Sequence, residues 1–298
     1  MPEKYKKFLE KHKTKLIVLM LAFFVLDAAL WRGVFAGSGA SDLHLYFLDV
    51  GQGDSELIEL PAPIGGQAGS VQVLVDGGPA NSKALAALGD ILAPTDRYID
   101  LVILSHAESD HFGGLIDILK RYQVGAFIWN GRPGSAGAYG DLMRSVEASG
   151  ARVLVLGAGD AIRYGSSKFN VLSPTPAFLA GTEMNNTSFV LQLAAQDITA
   201  LFMGDIGEKV EAALASRVGR VEILKVAHHG SKFSSTAPFL AAVRPLLAGI
   251  EVGENNYGHP APETLARLAA VGAKIFRTDK NGTVEVIADE EGIKVFAR

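Results

Sequence analysis

The chain has 298 residues, no cysteine, a formal net charge of −4, and shares of 48% hydrophobic and 20% charged residues. These values describe a globular chain with a sizeable core, in one large domain or two small ones, and exclude disulfide partners, thiolate metal ligands and a cysteine nucleophile. Residues 1–40 carry seven Lys/Arg against three Asp/Glu, so residues 41–298 hold about −8, which argues against a basic nucleic-acid-binding surface.

Residues 1–36 read as a basic tail and a signal or anchor helix. Six lysines between Lys4 and Lys15 precede the apolar run Leu16–Trp31, which Asp27 interrupts and Arg32 ends. Such a pattern predicts attachment to the membrane through this helix, or secretion after cleavage near Ala40, with the remainder outside the cytoplasm of a bacterium. A Gly/Ser linker at 37–42 leads into a domain over 43–298. Strands are expected at Leu43–Leu48, Ser55–Leu60 and Val71–Val75, with a Gly/Pro-rich connection at 61–70. A helix follows at Ser82–Leu92, a strand at Leu101–Leu104, a helix at Leu115–Tyr122 and a strand at Ala126–Trp129. A helix at Asp141–Ser149 and a strand at Arg152–Leu156 end the first half. The second half predicts strands at Phe169–Leu172, Phe189–Ala194, Thr199–Met203, Ile223–Ala227, Leu246–Val252 and Lys274–Arg277. Helices are expected at Gly207–Ala215, Pro238–Val243 and Pro262–Val271, and a hairpin closes the chain at Gly282–Ile287 and Ile293–Ala297. Mixed strands and medium helices point to layered α/β architecture.

Polar clusters fall just after these strands, where site residues are commonly held. The richest runs from Ser105 to Gly114 and holds His106, Glu108, Asp110 and His111. The others are Asp49–Ser55 with Asp54, Val75–Gly78 with Asp76, Asn185–Ser188 with Asn186, Gly204-Asp205, Ala227–Ser231 with His228 and His229, and Gly258-His259-Pro260. Five of the seven histidines lie in three of these clusters. Imidazole and carboxylate at this density suit zinc, manganese or iron.

Taken in order, these motifs resemble those of the metallo-β-lactamase superfamily, and within it the hydrolase domain of ComEC-type competence proteins. The matching segments are Phe47–Ser55, Val75–Gly78, Ser105–Gly114, Asn186–Ser188, Gly204-Asp205, His228–Ser231 and Gly258–Pro260. The resemblance implies a four-layer αββα sandwich with two divalent metal ions, zinc or manganese, at one edge between the sheets. It implies that His106 and Glu108 bind the first ion, that Asp110, His111 and His259 bind the second, and that Asp205 bridges them. His228 would contact the leaving phosphate or ligate metal. Asp76 would brace the 106–111 loop, and Asp54, Asn186, His229 and Ser231 would support the ligands or meet substrate. Glu108 and Asn186 stand where the superfamily usually has histidines, which shifts the expected metal toward manganese or leaves the first position weakly filled.

The function so implied is a metal-dependent phosphodiesterase or nuclease that uses a metal-bound hydroxide, with Asp110 and His228 as the catalytic residues and a phosphodiester, DNA included, as substrate. The membrane-channel portion of a competence protein is not in this sequence, so hydrolysis and not DNA import is expected. Two alternatives stand beside it. One is an exported phosphodiesterase acting on a cell-surface polymer or a choline-type phosphate ester. The other is a non-catalytic metal- or ligand-binding module.

Overall fold

The computed structural model describes residues 3–36, 42–61, 70–135, 137–289 and 291–298. Most of the expected linker at 37–42 and of the 61–70 connection lies outside these residues.

A long first helix, α1 (Glu3–Ala36), forms where the basic tail and apolar run were read. Its residues from Ile17 to Val25 are exposed. Among the described residues, no helix is long and apolar enough to cross a membrane.

Beyond α1 come β1 (Leu43–Phe47), β2 (Glu56–Leu60), β3 (Val71–Val75), α2 (Lys83–Ile91) and β4 (Tyr98–Ile103). Next are α3 (Ser109–Phe112), α4 (Leu115–Arg121), β5 (Gln123–Trp129), α5 (Tyr139–Ser149) and β6 (Arg152–Val155). The chain continues through β7 (Ala161–Tyr164), β8 (Ser167–Ser173), α6 (Pro176–Leu179), β9 (Val190–Ala195), β10 (Ile198–Phe202), α7 (Glu208–Leu214) and β11 (Ile223–Lys225). It ends with α8 (Ala237–Val243), β12 (Leu247–Ile250), α9 (Pro262–Ala270), β13 (Lys274–Arg277), α10 (Thr278–Asn281), β14 (Val284–Asp289) and β15 (Gly292–Ala297). The motif-bearing strands and helices fall where expected. The additions are short: β7 is a four-residue outer strand, and α3, α6 and α10 are single turns.

Two sheets result. One runs β15-β14-β1-β2-β3-β4-β5-β6 and the other β13-β12-β11-β10-β9-β8-β7. The β3–β6 and β10–β13 stretches are parallel, with helices between strands, and the remaining pairs are antiparallel. Three apolar clusters fill the spaces. Leu45, Phe47, Ile58 and Val73 of the first sheet meet Phe169, Leu191, Phe202 and Ile223 of the second. The other face of the first sheet packs on helices through Leu57, Leu74, Leu88, Leu115 and Leu142. The other face of the second does so through Leu201, Leu224, Val210, Leu240 and Leu268. This is the αββα order of layers.

Alternation along each strand sets which side chain enters which layer. In β1, Leu45 and Phe47 enter the layer between the sheets, while Tyr46, and Leu48 just past the strand, face the helices. Phe47 crosses to the opposite sheet, where a Cβ on Gly249 would lie 2.9 Å from its ring. That fit makes a stability prediction. Phe47→Ala should lower the unfolding free energy by about 3–5 kcal/mol through lost burial and a residual cavity, as measured by urea denaturation. A loss below about 1 kcal/mol would show that the two sheets do not pack as described.

Candidate metal centre

The sheets bring strand ends together at one edge. From the first sheet, β3 ends into Asp76 and β4 ends into the 104–112 segment, where a single helical turn carries Asp110 and His111. From the second, β10 ends into Asp205, β11 into the 3-10 segment Ala227–Gly230, and β12 into Glu251. His228 and His229 both adopt left-handed backbone, at φ 52° and 51°, a conformation that non-glycine residues take at a cost and that clusters at functional sites. The turn separates the two rings. His229 is 2% exposed, whereas the His228 side chain keeps 30% of its surface. Gly53 closes the site from the β1–β2 loop. Its φ is +148°, and a Cβ there would meet the Asp110 carbonyl oxygen at 2.2 Å, so only glycine fits.

Asp110, His111, Asp205 and His229 each offer a ligand atom within 4.8 Å of the others. His229 Nε2 lies 3.5 Å from both Asp110 Oδ2 and Asp205 Oδ2. His111 Nε2 lies 3.4 Å from Asp205 Oδ2 and 4.0 Å from Asp110 Oδ2. The opposite edge of each ring is held by acceptors. His111 Nδ1 donates to Asp76 Oδ2 at 2.8 Å. His229 Nδ1 donates to the Glu251 carbonyl at 2.9 Å and faces Asp54 Oδ1 at 3.1 Å. His106 Nδ1 lies 3.1 Å from Ser105 Oγ, whose own proton goes to Asp76. With Nδ1 committed to acceptors, each ring turns Nε2 to the pocket, where it can ligate a metal once any proton there is lost.

The other residues singled out in the sequence spread around this group. The His106 ring lies 4.2 Å from that of His111. His228 Nε2 is 3.8 Å from Asp205 Oδ2 and 3.4 Å from Asn185 Nδ2. The His259 ring is 5.4 Å from His228 and 6.4 Å from His229. Glu108 is half-buried beside the group, and its carboxyl is pushed up by burial and then by Asp110 and Asp205. Asn186 turns to structural partners, accepting from Gly207 N at 3.1 Å and donating to Glu183. Ser231 Oγ accepts from Phe233 N at 3.3 Å and is buried.

Sequence reasoning placed His229 around the ligands, whereas its Nε2 points among them. It missed a second buried group altogether. Lys225 is fully buried and donates to Asp54, with Glu56 and Glu251 alongside. A signal existed: Glu56 shares a strand face with Ile58 and Leu60, and Lys225 with Ile223, all of them between the sheets.

Charge accounts for the titration pattern. Burial pushes the Asp54 carboxyl up, but the Lys225 ammonium and then His229 and His111 bring it down to about 2. Burial raises Glu56 to about 8 against the pull of Lys225. Asp205 is held well below the usual carboxylate range because His229 and His111 overcome its burial. Conversely, burial lowers His229, but Asp205 and Asp54 carry it to about 10. Burial takes His106 down to about 3 and His259 to about 4. The centre therefore favours positive charge between Asp110 and Asp205.

A divalent ion fits this setting on one observation above all. His106 Nε2, His111 Nε2, His229 Nε2, Asp205 Oδ1 and His259 Nδ1 are buried and have no hydrogen-bond partner. Buried polar atoms are seldom left so, and nitrogen and carboxylate oxygen are donors for zinc and manganese.

Comparison with known proteins agrees. Residues 67–157 match the family model described as "Metallo-beta-lactamase superfamily". The domain is a metallo-beta-lactamase domain. Its relatives include ComE operon protein 3 of Bacillus subtilis, 28% identical over 83% of this chain and 33% of that protein. Another is competence protein ComA of Neisseria gonorrhoeae, 30% identical over 83% of this chain and 32% of that protein. The chain thus spans about a third of the length of these relatives. Among solved structures, the metallo-beta-lactamase fold protein YhfI from Bacillus subtilis superposes with a TM-score of 0.55 at 11% identity, covering 82% of this chain and 99% of that one. The metallo-beta-lactamase domain is a hydrolase fold that binds divalent metals, commonly two.

Metal should therefore stabilise this metallo-beta-lactamase domain. Manganese or zinc at about 100 times its dissociation constant should add about 2.7 kcal/mol to the unfolding free energy, and a chelator should remove that gain in a thermal melt. His229→Ala should abolish most of the metal-dependent increment. An unchanged increment in that variant would contradict the placement of His229 among the ligands.

Proposed function

We propose that this chain is a metal-dependent phosphodiesterase of the ComEC type, with nucleic-acid strands as its substrate class. The observation that carries the reading is the set of unpartnered imidazole nitrogens and carboxylate oxygens converging on a site that Asp110 and His228 leave open to solvent. In this reading His111, His229, Asp110 and Asp205 hold one ion. His106, Glu108 and His259 stand around this group and would be further donors to a second ion. When bound, divalent ions supply Lewis acidity and lower the pKa of water at the centre.

The chain's own groups do the rest. Asp110 keeps a third of its side-chain surface, and its free carboxylate oxygen accepts the hydrogen bond that orients the attacking water. His228 Nε2, on the open side, would face the phosphoryl oxygens, and the leaving oxygen would take its proton from His228 or from water. Asp76 and Asp54 fix the ring orientations from behind.

Two exposed rings support a strand as substrate. Tyr257 is 77% exposed and lies 5.8 Å from the His259 ring. Phe233 is 65% exposed, carries Lys232 over its face, and its carbonyl accepts from Glu208 N just beyond Asp205. Aromatic rings beside a basic group form a stacking surface that tolerates any base. No run of sequence revealed this, because the rings come from separate loops. The competence designation of a relative supports DNA and a membrane context. One observation favours a surface-polymer or choline-type ester instead: the net charge of about −8 over residues 41–298 repels a polyanion.

Asp110→Ala should abolish cleavage of bis-p-nitrophenyl phosphate while the protein stays folded. Full activity at normal metal content would contradict the mechanism. His228→Ala should reduce kcat more than metal content, whereas equal loss of both would make His228 a ligand. Tyr257→Ala should raise KM for single-stranded DNA about 5-fold or more and leave the small diester unaffected. If the wild-type protein cleaves the small diester alone, the surface-polymer reading replaces the nucleic-acid one.

A further inference from the structure

Beneath the centre lies a buried cage that touches no solvent. Asp54, Glu56 and Glu251 each place a carboxylate oxygen within 4.8 Å of the others, and each is at most 3% exposed. Three such groups alone would be costly, because a buried charge needs a partner. The partner is Lys225, 0% exposed, whose ammonium donates to Asp54 Oδ2 and to the Val226 carbonyl at 3.1 Å. Asp54 faces both ways. Its Oδ2 takes the lysine, and its Oδ1 lies 3.1 Å from His229 Nδ1. Glu251 faces both ways too, its carbonyl accepting from His229 Nδ1 at 2.9 Å and its carboxylate from Ser55 N at 2.9 Å.

We propose that Lys225 is a positioning residue for the metal centre: an internal cation that holds Asp54 where it orients His229, so that His229 Nε2 meets a metal. No atom of Lys225 needs to reach the ion or the substrate. Its reach ends at Asp54, whose other oxygen makes a 3.1 Å ion-pair contact with the His229 imidazole. Partners one step behind metal ligands commonly tune affinity 10- to 100-fold. The inference rests on the metal-centre reading and is independent of which ester is cut.

The test is a Co2+ titration followed by visible absorption, with a thermal melt of each metal-free protein. The proteins are full-length wild type, Lys225→Met, Asp54→Asn and the double variant. If Lys225 acts through Asp54, the pair behaves as a unit. Each single variant should bind Co2+ at least 10-fold more weakly and with an altered spectrum, and the double variant should be no worse than either. The double variant, which removes both buried charges, should regain much of the melting temperature that Lys225→Met loses. Should Lys225→Met fail to fold, equal affinity in Asp54→Asn and the double variant would carry the result. Wild-type Co2+ affinity in a folded Lys225→Met would overturn the proposal. So would losses that multiply in the double variant, or a double variant that regains affinity together with stability. A wild-type protein that binds no Co2+ would overturn the metal reading beneath it.

Discussion

Everything at the centre depends on what stands behind the imidazoles. His111 and His229 are buried rings whose Nδ1 edges are held by Asp76, Asp54 and the Glu251 carbonyl. A ring so held can turn only Nε2 to the pocket, the atom that a metal would take in place of a proton. The strands matter because they deliver those acceptors. Asp76 sits at the end of β3, bonded to Ser105 N at 2.7 Å across the neighbouring strand end, and Glu251 sits at the end of β12. Both sheets must stack for the two sets to meet, so the apolar layer around Phe47 and Phe169 is also what sets the spacing of the site.

The cost of this arrangement is a concentration of buried charge in an acidic chain. Asp54, Asp76, Asp205, Glu56 and Glu251 are all buried, which in an apolar interior would be prohibitive without cations. The cations present are local: Lys225 on one side of Asp54, and His111 and His229 on the other. A metal ion would take over the neutralising role of the imidazoles at Asp110 and Asp205 and leave that of Lys225 untouched. The same bookkeeping reconciles an overall negative chain with a centre suited to a phosphate anion, since bound divalent ions invert the local field.

Much of this was legible in the sequence, and the reasons are physical. His106, Asp110, His111, Asp205, His228 and His229 stood out because titratable side chains directly after apolar strands have no core role to play. A layered α/β architecture was legible because strands and helices alternate, while the αββα order came only with the resemblance of the motifs. Other parts were hidden. Whether His229 or His228 turns inward depends on two successive left-handed residues, which no periodicity reports. Glu56 and Lys225 were read as ordinary strand positions, though each lies on the same face as residues between the sheets. The exposed rings of Phe233 and Tyr257 lie in loops 24 residues apart in sequence, so no single run of residues marked them. The first helix formed where the basic tail and apolar run were read.

The central claim is that the Nε2 atoms of His111 and His229 share an ion with Asp110 and Asp205. Anomalous diffraction at the zinc edge, from crystals of the zinc-loaded protein, tests it most directly. The account predicts a peak about 2.1 Å from both nitrogens, with carboxylate oxygen of Asp205 completing the contact. Zinc found only on exposed carboxylates, with these nitrogens unligated, would contradict it.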